Sequence, residues 1–161
     1  MNTKIITTNT AGMRNIQRRR EILNNLRTSD CDIALLQETH LNPDSFTQTQ
    51  KMWPGTLLLG QGSYNKDGII TAIKDPSNVP KNTITDPNGK YIITDITINK
   101  LNITIINVYA PSGDCTQKQN ERKAFFDHIT NIVDPLNKPD QHYVLAGDFN
   151  TTLQNIDRQT Q

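Results

Sequence analysis

The apolar residues of this chain gather in short blocks set apart by stretches rich in Asn, Thr and Asp, and the spacing within each block indicates an element. Residues 4–9, Lys-Ile-Ile-Thr-Thr-Asn, read as a short strand ending at Asn9. Ile16, Ile22, Leu23 and Leu26 then fall on one side of a helical wheel. Asp-Ile-Ala-Leu-Leu-Gln-Glu is a compact apolar strand ending at Glu38, and Asn-Pro-Asp-Ser-Phe-Thr-Gln-Thr-Gln after it reads as loop with one helical turn. Thr-Leu-Leu-Leu-Gly and Gly-Ile-Ile-Thr-Ala-Ile are two further strands, joined by a Gly- and Asn-bearing segment suited to turns. Asp-Pro-Ser-Asn-Val-Pro is a connection. Tyr-Ile-Ile-Thr-Asp-Ile-Thr-Ile and Leu-Asn-Ile-Thr-Ile-Ile-Asn-Val-Tyr form a hairpin across Asn99-Lys100, whose turn type the sequence leaves open, because Asn accepts positive φ more readily than Lys. Residues 116–133 make an amphipathic helix burying Phe125, Phe126, Ile129 and Val133, closed by Pro135, and His-Tyr-Val-Leu-Ala-Gly is the last strand. Strands and helices in this order predict an α/β fold, a layered sandwich of mixed sheets flanked by helices.

At 161 residues the expectation is one domain, 1–161, with a proper core. Hydrophobic content is low at 34%, but its gathering into blocks argues for a folded chain. A net charge of +1 demands no bulk attraction to nucleic acid or membrane, so binding must come from local patches. Arg14, Arg18, Arg19, Arg20 and Arg27 scatter around the first helix, Arg19 close to its apolar side, and the helix reads as an ordinary solvated one rather than a binding stripe. Cys31 and Cys115 make neither a metal-ligand spacing nor a disulfide framework. With no apolar leader at Met1–Thr10 and no run of membrane-spanning length, the expected site of action is nuclear or cytoplasmic, neither secreted nor membrane-bound.

Asn9, Glu38, Tyr109 and Asp148 each stand at a strand end, where the backbone leaves the sheet and side chains can converge on a cleft. Any one alone reads as a loop residue or a helix cap; together they point to an acidic, metal-binding cleft. The most telling stretch is His-Tyr-Val-Leu-Ala-Gly-Asp-Phe-Asn-Thr-Thr, an apolar strand that stops on a carboxylate and an amide two residues apart. Gly147 reads as the place where the backbone turns, strand alternation places Asp148 and Asn150 on one side, and Phe149 opposite them reads as core packing. Trp53 and Tyr64 likewise read as packing residues.

Three words in order, Leu-Leu-Gln-Glu-Thr-His at 35–40, Asn-Val-Tyr-Ala-Pro-Ser-Gly at 107–113 and Leu-Ala-Gly-Asp-Phe-Asn-Thr at 145–151, resemble the endonuclease/exonuclease/phosphatase superfamily. Gly-Lys-Tyr-Ile-Ile-Thr-Asp-Ile before the Tyr109 strand and Asn-Ile-Asp-Arg-Gln-Thr-Gln at the end bring the likeness nearest to endonuclease domains of non-LTR (LINE-type) retrotransposons. The resemblance implies a DNase I-like fold and a DNA-cleaving phosphodiesterase that uses Mg²⁺, with Mn²⁺ as a substitute, and it allows a reverse transcriptase domain downstream in a longer polyprotein. It assigns Glu38 as main metal ligand, with Asn9 at the edge of the metal site. Asp148 is implied as the base for the attacking water, Asn150 as a donor to the scissile phosphate, and Tyr109 as a phenol near that phosphate or the leaving oxygen. Thr151 and Arg158 are the implied backbone contacts.

Members of the superfamily continue into a Ser-Asp-His motif that this sequence does not contain, and His40, His128 and His142 offer no substitute. The chain therefore reads as an incomplete N-terminal portion, in which loss of that phosphate donor costs on the order of 10²–10³ in rate and a sheet face or edge is left exposed. An apurinic-site endonuclease is the nearer competing enzyme, lipid and inositol phosphatases lack support in the loops, and a non-catalytic remnant is the alternative of a different class.

Overall fold

The computed structural model describes residues 2–63, 66–136 and 138–151. Its elements run β1 (Ile5–Asn9), α1 (Ile16–Thr28), β2 (Ile33–Gln37), α2 (Pro43–Met52), β3 (Thr56–Gly60), β4 (Ile69–Ile73), β5 (Lys81–Thr85), β6 (Tyr91–Ile98), β7 (Leu101–Tyr109), α3 (Thr116–Val133), a 3₁₀ turn (Asp134–Leu136) and β8 (Gln141–Asp148). They form two compact units, Met1–Tyr109 with Lys138–Asp148, and Ala110–Asn137 with Phe149–Gln161.

The first unit holds two mixed four-stranded sheets, ordered β1-β2-β4-β3 and β5-β6-β7-β8. β1 runs parallel to β2 and β8 parallel to β7; the other neighbours are antiparallel. Strand alternation explains how the sheets stack. Ile33, Leu35 and Ile73 of the first sheet meet Ile96, Ile98, Ile103 and Ile105 of the second in one buried cluster. The opposite phase of the first sheet, Ala34, Leu36, Ile70 and Ala72, packs beneath α1 and α2 through Leu23, Leu26 and Phe46. Each such Ile or Leu, fully buried, contributes about 1.5–3 kcal/mol. Trp53 joins this layer as a packing residue, its indole N–H donating to the Ile73 carbonyl at 2.9 Å.

Several elements differ from the sequence expectation. The segment read as loop is the three-turn helix α2, started by a reciprocal cap between Asn42 and Ser45 with Pro43 in its first turn. β5 has no residue buried, so no apolar pattern announced it. The Asn99-Lys100 turn places both residues at positive φ, 51° and 69°, as a type I′ hairpin requires. Arg19 is not solvated: it is 1% exposed, its guanidinium donating to the Met13 carbonyl and to Gln48 Oε1. Arg18 brackets the loop after β1, donating to the carbonyls of Thr10 and Gly12. β8 has one strand neighbour among the described residues, and Leu145 on it is 44% exposed.

In the second unit, the Arg122 guanidinium donates to the carbonyls of Pro111 and Gly113, fastening the segment ahead of α3 to that helix. Phe149 stacks on Phe126 with ring centroids 5.6 Å apart, a packing role rather than an exposed one. Among the described residues no helix is long and apolar enough to cross a membrane.

Candidate active site

The register of the parallel pairs brings the strand ends of the first unit together. Asn9 lies opposite Gln37, and Tyr109 opposite Asp148. The Asn9 amide donates to Asp148 Oδ2 at 2.9 Å, while its own Oδ1 accepts from the Ala11 N–H at 2.9 Å. That bond joins the end of the first sheet to the end of the second. Glu38 lies one residue beyond β2, where simple alternation would send it with Leu36 toward the helices. Instead Glu38 adopts φ +52°, and its Oε1 accepts from the Tyr109 phenol at 2.8 Å. The left-handed backbone turns the carboxylate toward the second sheet, at a cost of roughly 1–2 kcal/mol for a residue with a Cβ.

The surrounding loops hold Glu38 in that conformation. Its carbonyl accepts from the Gly12 N–H at 2.8 Å and from the Thr10 hydroxyl at 3.0 Å. Thr39 and His40 donate their N–H groups to the carbonyls of Gly68 and Asp67, both at 3.0 Å. Behind the site, Gln37 Nε2 donates to Asn107 Oδ1 at 2.9 Å within the buried interior. Tyr109 is 7% exposed, and burial first, then the Glu38 hydrogen bond and the charges of Glu38, Asp67 and Asp148, push its phenol well above the ordinary tyrosine range. Tyr109 is thus a neutral donor lying within the fields of three carboxylates.

Two residues here escaped the sequence reading. Lys90 Nζ lies 4.3 Å from the Tyr109 ring centroid and 2.8 Å from Asp67 Oδ1. Lys90 sits in the Gly-Lys-Tyr stretch ahead of β6, a position that the resemblance had marked, but its direction depends on the Asp67 loop. Gly147 also acts differently from expectation. It remains within β8 at φ +145°, where a Cβ would collide with the Val108 backbone, so it permits close strand approach rather than the turn. The strand stops at Asp148, and Asn150 takes φ +47°, so alternation does not carry through to Asn150.

The chain-wide model of the endonuclease/exonuclease/phosphatase family matches residues 6–160. The chain belongs to that family. Over 156 residues it is 28% identical to the Transposon TX1 uncharacterized 149 kDa protein of Xenopus laevis, covering 96% of this chain and 11% of that one. The fold resembles an AP endonuclease, LMAP, from Leishmania major, with a TM-score of 0.75 and 19% identity over 99% of this chain and 58% of the other. An AP endonuclease from Archaeoglobus fulgidus gives 0.73 and 19% over 99% and 62%. A variant of the 3′ phosphatase NExo from Neisseria, bound to a product DNA hairpin, gives 0.69 and 22% over 97% and 61%. The chain spans about three-fifths of these solved relatives.

Other residues marked by the family words belong to the second unit or lie outside the described residues. In the second unit the Asn150 amide donates to the Ala110 carbonyl at 2.7 Å, and the exposed Thr151 borders an open groove with Gln119, Lys123 and Phe126. Arg158 and Tyr64 lie outside the described residues. Among the described residues no three His, Cys, Asp or Glu side chains converge into a metal cage. The strand ends instead offer the carboxylates of Glu38 and Asp148, with the Tyr109 hydroxyl and the Asn9 amide against them. Such a set suits a hard cation that keeps most of its water and does not suit a tightly caged soft metal.

Proposed function

We propose that this domain is a phosphodiesterase that cuts the DNA backbone with the help of Mg²⁺, or Mn²⁺ in its place, in the manner of a retrotransposon endonuclease. The observation that supports the reading best is the pair of bonds at the strand ends, Tyr109 to Glu38 and Asn9 to Asp148. A phosphodiester is an anion that repels hydroxide, so its hydrolysis needs a cation, fixed donors and one aimed base. Glu38 is the ligand for the cation, with Asn9 at the edge, and the bound ion supplies Lewis-acid stabilisation of charge on the phosphate. Asp148, oriented by the Asn9 amide, takes a proton from the water that attacks phosphorus. As the new P–O bond forms, the bond to the leaving oxygen breaks, and that oxygen recovers a proton from solvent. The Tyr109 phenol, whose one proton goes to Glu38, stands near the phosphate or the leaving oxygen. Asn150 as a donor to the phosphate and Thr151 and Arg158 as backbone contacts are carried by the family resemblance alone.

The transposon relative, of which this chain spans a small part, supports a place within a longer transposon protein. A reverse transcriptase in the same polyprotein and work on DNA in the nucleus or cytoplasm belong to the same proposal on the family resemblance alone. The fold likeness to AP endonucleases supports a second reading, incision at abasic sites. Both are tested with the same protein on supercoiled plasmid and on a duplex holding one abasic site. The retrotransposon reading expects Mg²⁺-dependent nicking of intact plasmid, reduced at least about 10²-fold in Glu38→Ala and in Asp148→Ala alike. Cleavage of the abasic duplex alone supports the repair reading. No metal-dependent cleavage of either substrate by the unmutated chain leaves the non-catalytic remnant.

A further inference from the structure

Glu38 and Tyr109 come from different sheets, and their mutual bond fixes one atom pair but not the tilt of the phenol ring. What holds the ring is a second set of contacts. Lys90 lies against its face at 4.3 Å, within the range in which an ammonium is attracted to an aromatic quadrupole. A free lysine head would sample many rotamers; here Asp67 Oδ1 holds it at 2.8 Å, with both side chains about three-quarters buried. The backbone repeats the link, since the Tyr109 N–H donates to the Lys90 carbonyl at 2.7 Å. Asp67 is tied to the other half of the site as well. It sits at φ +60°, and its carbonyl accepts from His40 N–H while that of Gly68 accepts from Thr39 N–H. The turn that carries Asp67 is therefore the turn that supports the strained backbone of Glu38.

We infer that Asp67 and Lys90 are positioning residues that brace the Tyr109 ring against the Glu38 turn, so that carboxylate and phenol keep one mutual geometry as a phosphate is bound. The inference rests on the phosphodiesterase reading for its purpose, and on geometry alone for its existence. Electrostatics gives the brace a further effect. The ammonium also offsets part of the negative charge that the Asp67 and Glu38 carboxylates place around the ring.

The test uses the full chain labelled with 3-fluorotyrosine, with the Tyr109 fluorine resonance assigned through Tyr109→Phe. Lys90→Met keeps length and removes charge; Asp67→Asn leaves Lys90 in place but releases its head. Both are expected to shift the Tyr109 resonance while that of Tyr143 stays put, and Lys90→Arg is expected to restore it. Where the chain nicks DNA, kcat in Lys90→Met is expected to fall about tenfold with KM little changed, because a loosened donor is lost mainly in the transition state. An unmoved Tyr109 resonance in folded Lys90→Met and Asp67→Asn overturns the brace, whatever the nicking assay shows. If Lys90→Met does not fold, Asp67→Asn and Lys90→Arg decide by the same resonance. A shifted resonance in a chain that cuts no DNA upholds the brace and removes the enzymatic reading instead.

Discussion

Tyr109 shows most directly how one residue's surroundings set its chemistry. A phenol ordinarily ionises near 10, and this one is held well above that by burial, by the carboxylate it donates to, and by two further carboxylates. The consequence for stability has a definite sign. Below the unfolded value both states carry the proton, and the folded protein keeps its full stability. Above about pH 10 the unfolded chain releases the proton while the folded chain retains it, so stability falls as pH rises. The slope from this phenol approaches about 1.4 kcal/mol per pH unit, a value appropriate to a group so little exposed. Tyr109→Phe removes the ionisation from both states. Urea unfolding of the two proteins at about pH 9 and about pH 11 is therefore expected to show the wild-type advantage shrinking at the higher pH. A constant difference across that range means that the phenol is freely ionisable in the folded state.

The β6–β7 hairpin illustrates both what the sequence discloses about elements and what it withholds. Its β-branched strands are legible, and the structure supplies the turn type: Lys100 sits at φ 69° immediately after Asn99 at 51°. A type I′ turn favours Gly at that second position, since Lys must hold its Cβ against the backbone. Lys100→Gly is expected to stabilise the protein by about 0.5–1 kcal/mol in thermal or denaturant unfolding, because relief of strain exceeds the entropy added to the unfolded chain. A loss of stability instead implies that the Lys100 side chain makes a contact that matters. α2 was hidden because its buried face is thin: Thr49 is its one buried residue, and Phe46 is only partly buried. Its cap, Asn42 before Pro43, was nevertheless present as a start signal. β5 gave no signal because all five of its residues are exposed. The site followed the same rule. Asn9, Tyr109 and Asp148 were legible because strand phase and strand end fix a side chain's place. Asp67 and Lys90 were not, because their meeting depends on a turn with positive φ and on a register between distant segments.

Across the sandwich of the first unit, the interior changes character toward the site. Most of the facing surfaces are Ile and Leu, which tolerate small slips of one sheet over the other. Next to Glu38 and two residues before Tyr109 the contact becomes an amide pair, Gln37 and Asn107, 1% and 0% exposed. Hydrogen bonds are directional, and these are well used. Gln37 Nε2 donates to Asn107 Oδ1 at 2.9 Å and to the Thr7 hydroxyl at 3.1 Å. Asn107 Nδ2 donates to the Ile70 carbonyl at 3.0 Å and the Thr71 hydroxyl at 3.3 Å. A shift between sheets would break the three of these that join Asn107 to the first sheet, leaving polar groups buried without partners. The pair therefore locks the register of the sheets at the end where their side chains must meet. Asn107→Leu takes one of the two partners from the Gln37 amide and the Asn107 donor from the Ile70 carbonyl, and is expected to cost about 2–3 kcal/mol, and Gln37→Leu a similar amount. The double variant removes both partners together, so its cost should fall short of the sum by about 1 kcal/mol or more. Denaturant unfolding of the four proteins in that cycle measures the coupling. Strict additivity would mean that Gln37 and Asn107 stabilise their own strands separately, and that shape alone, rather than a shared polar bridge, aligns the Glu38 turn with Tyr109.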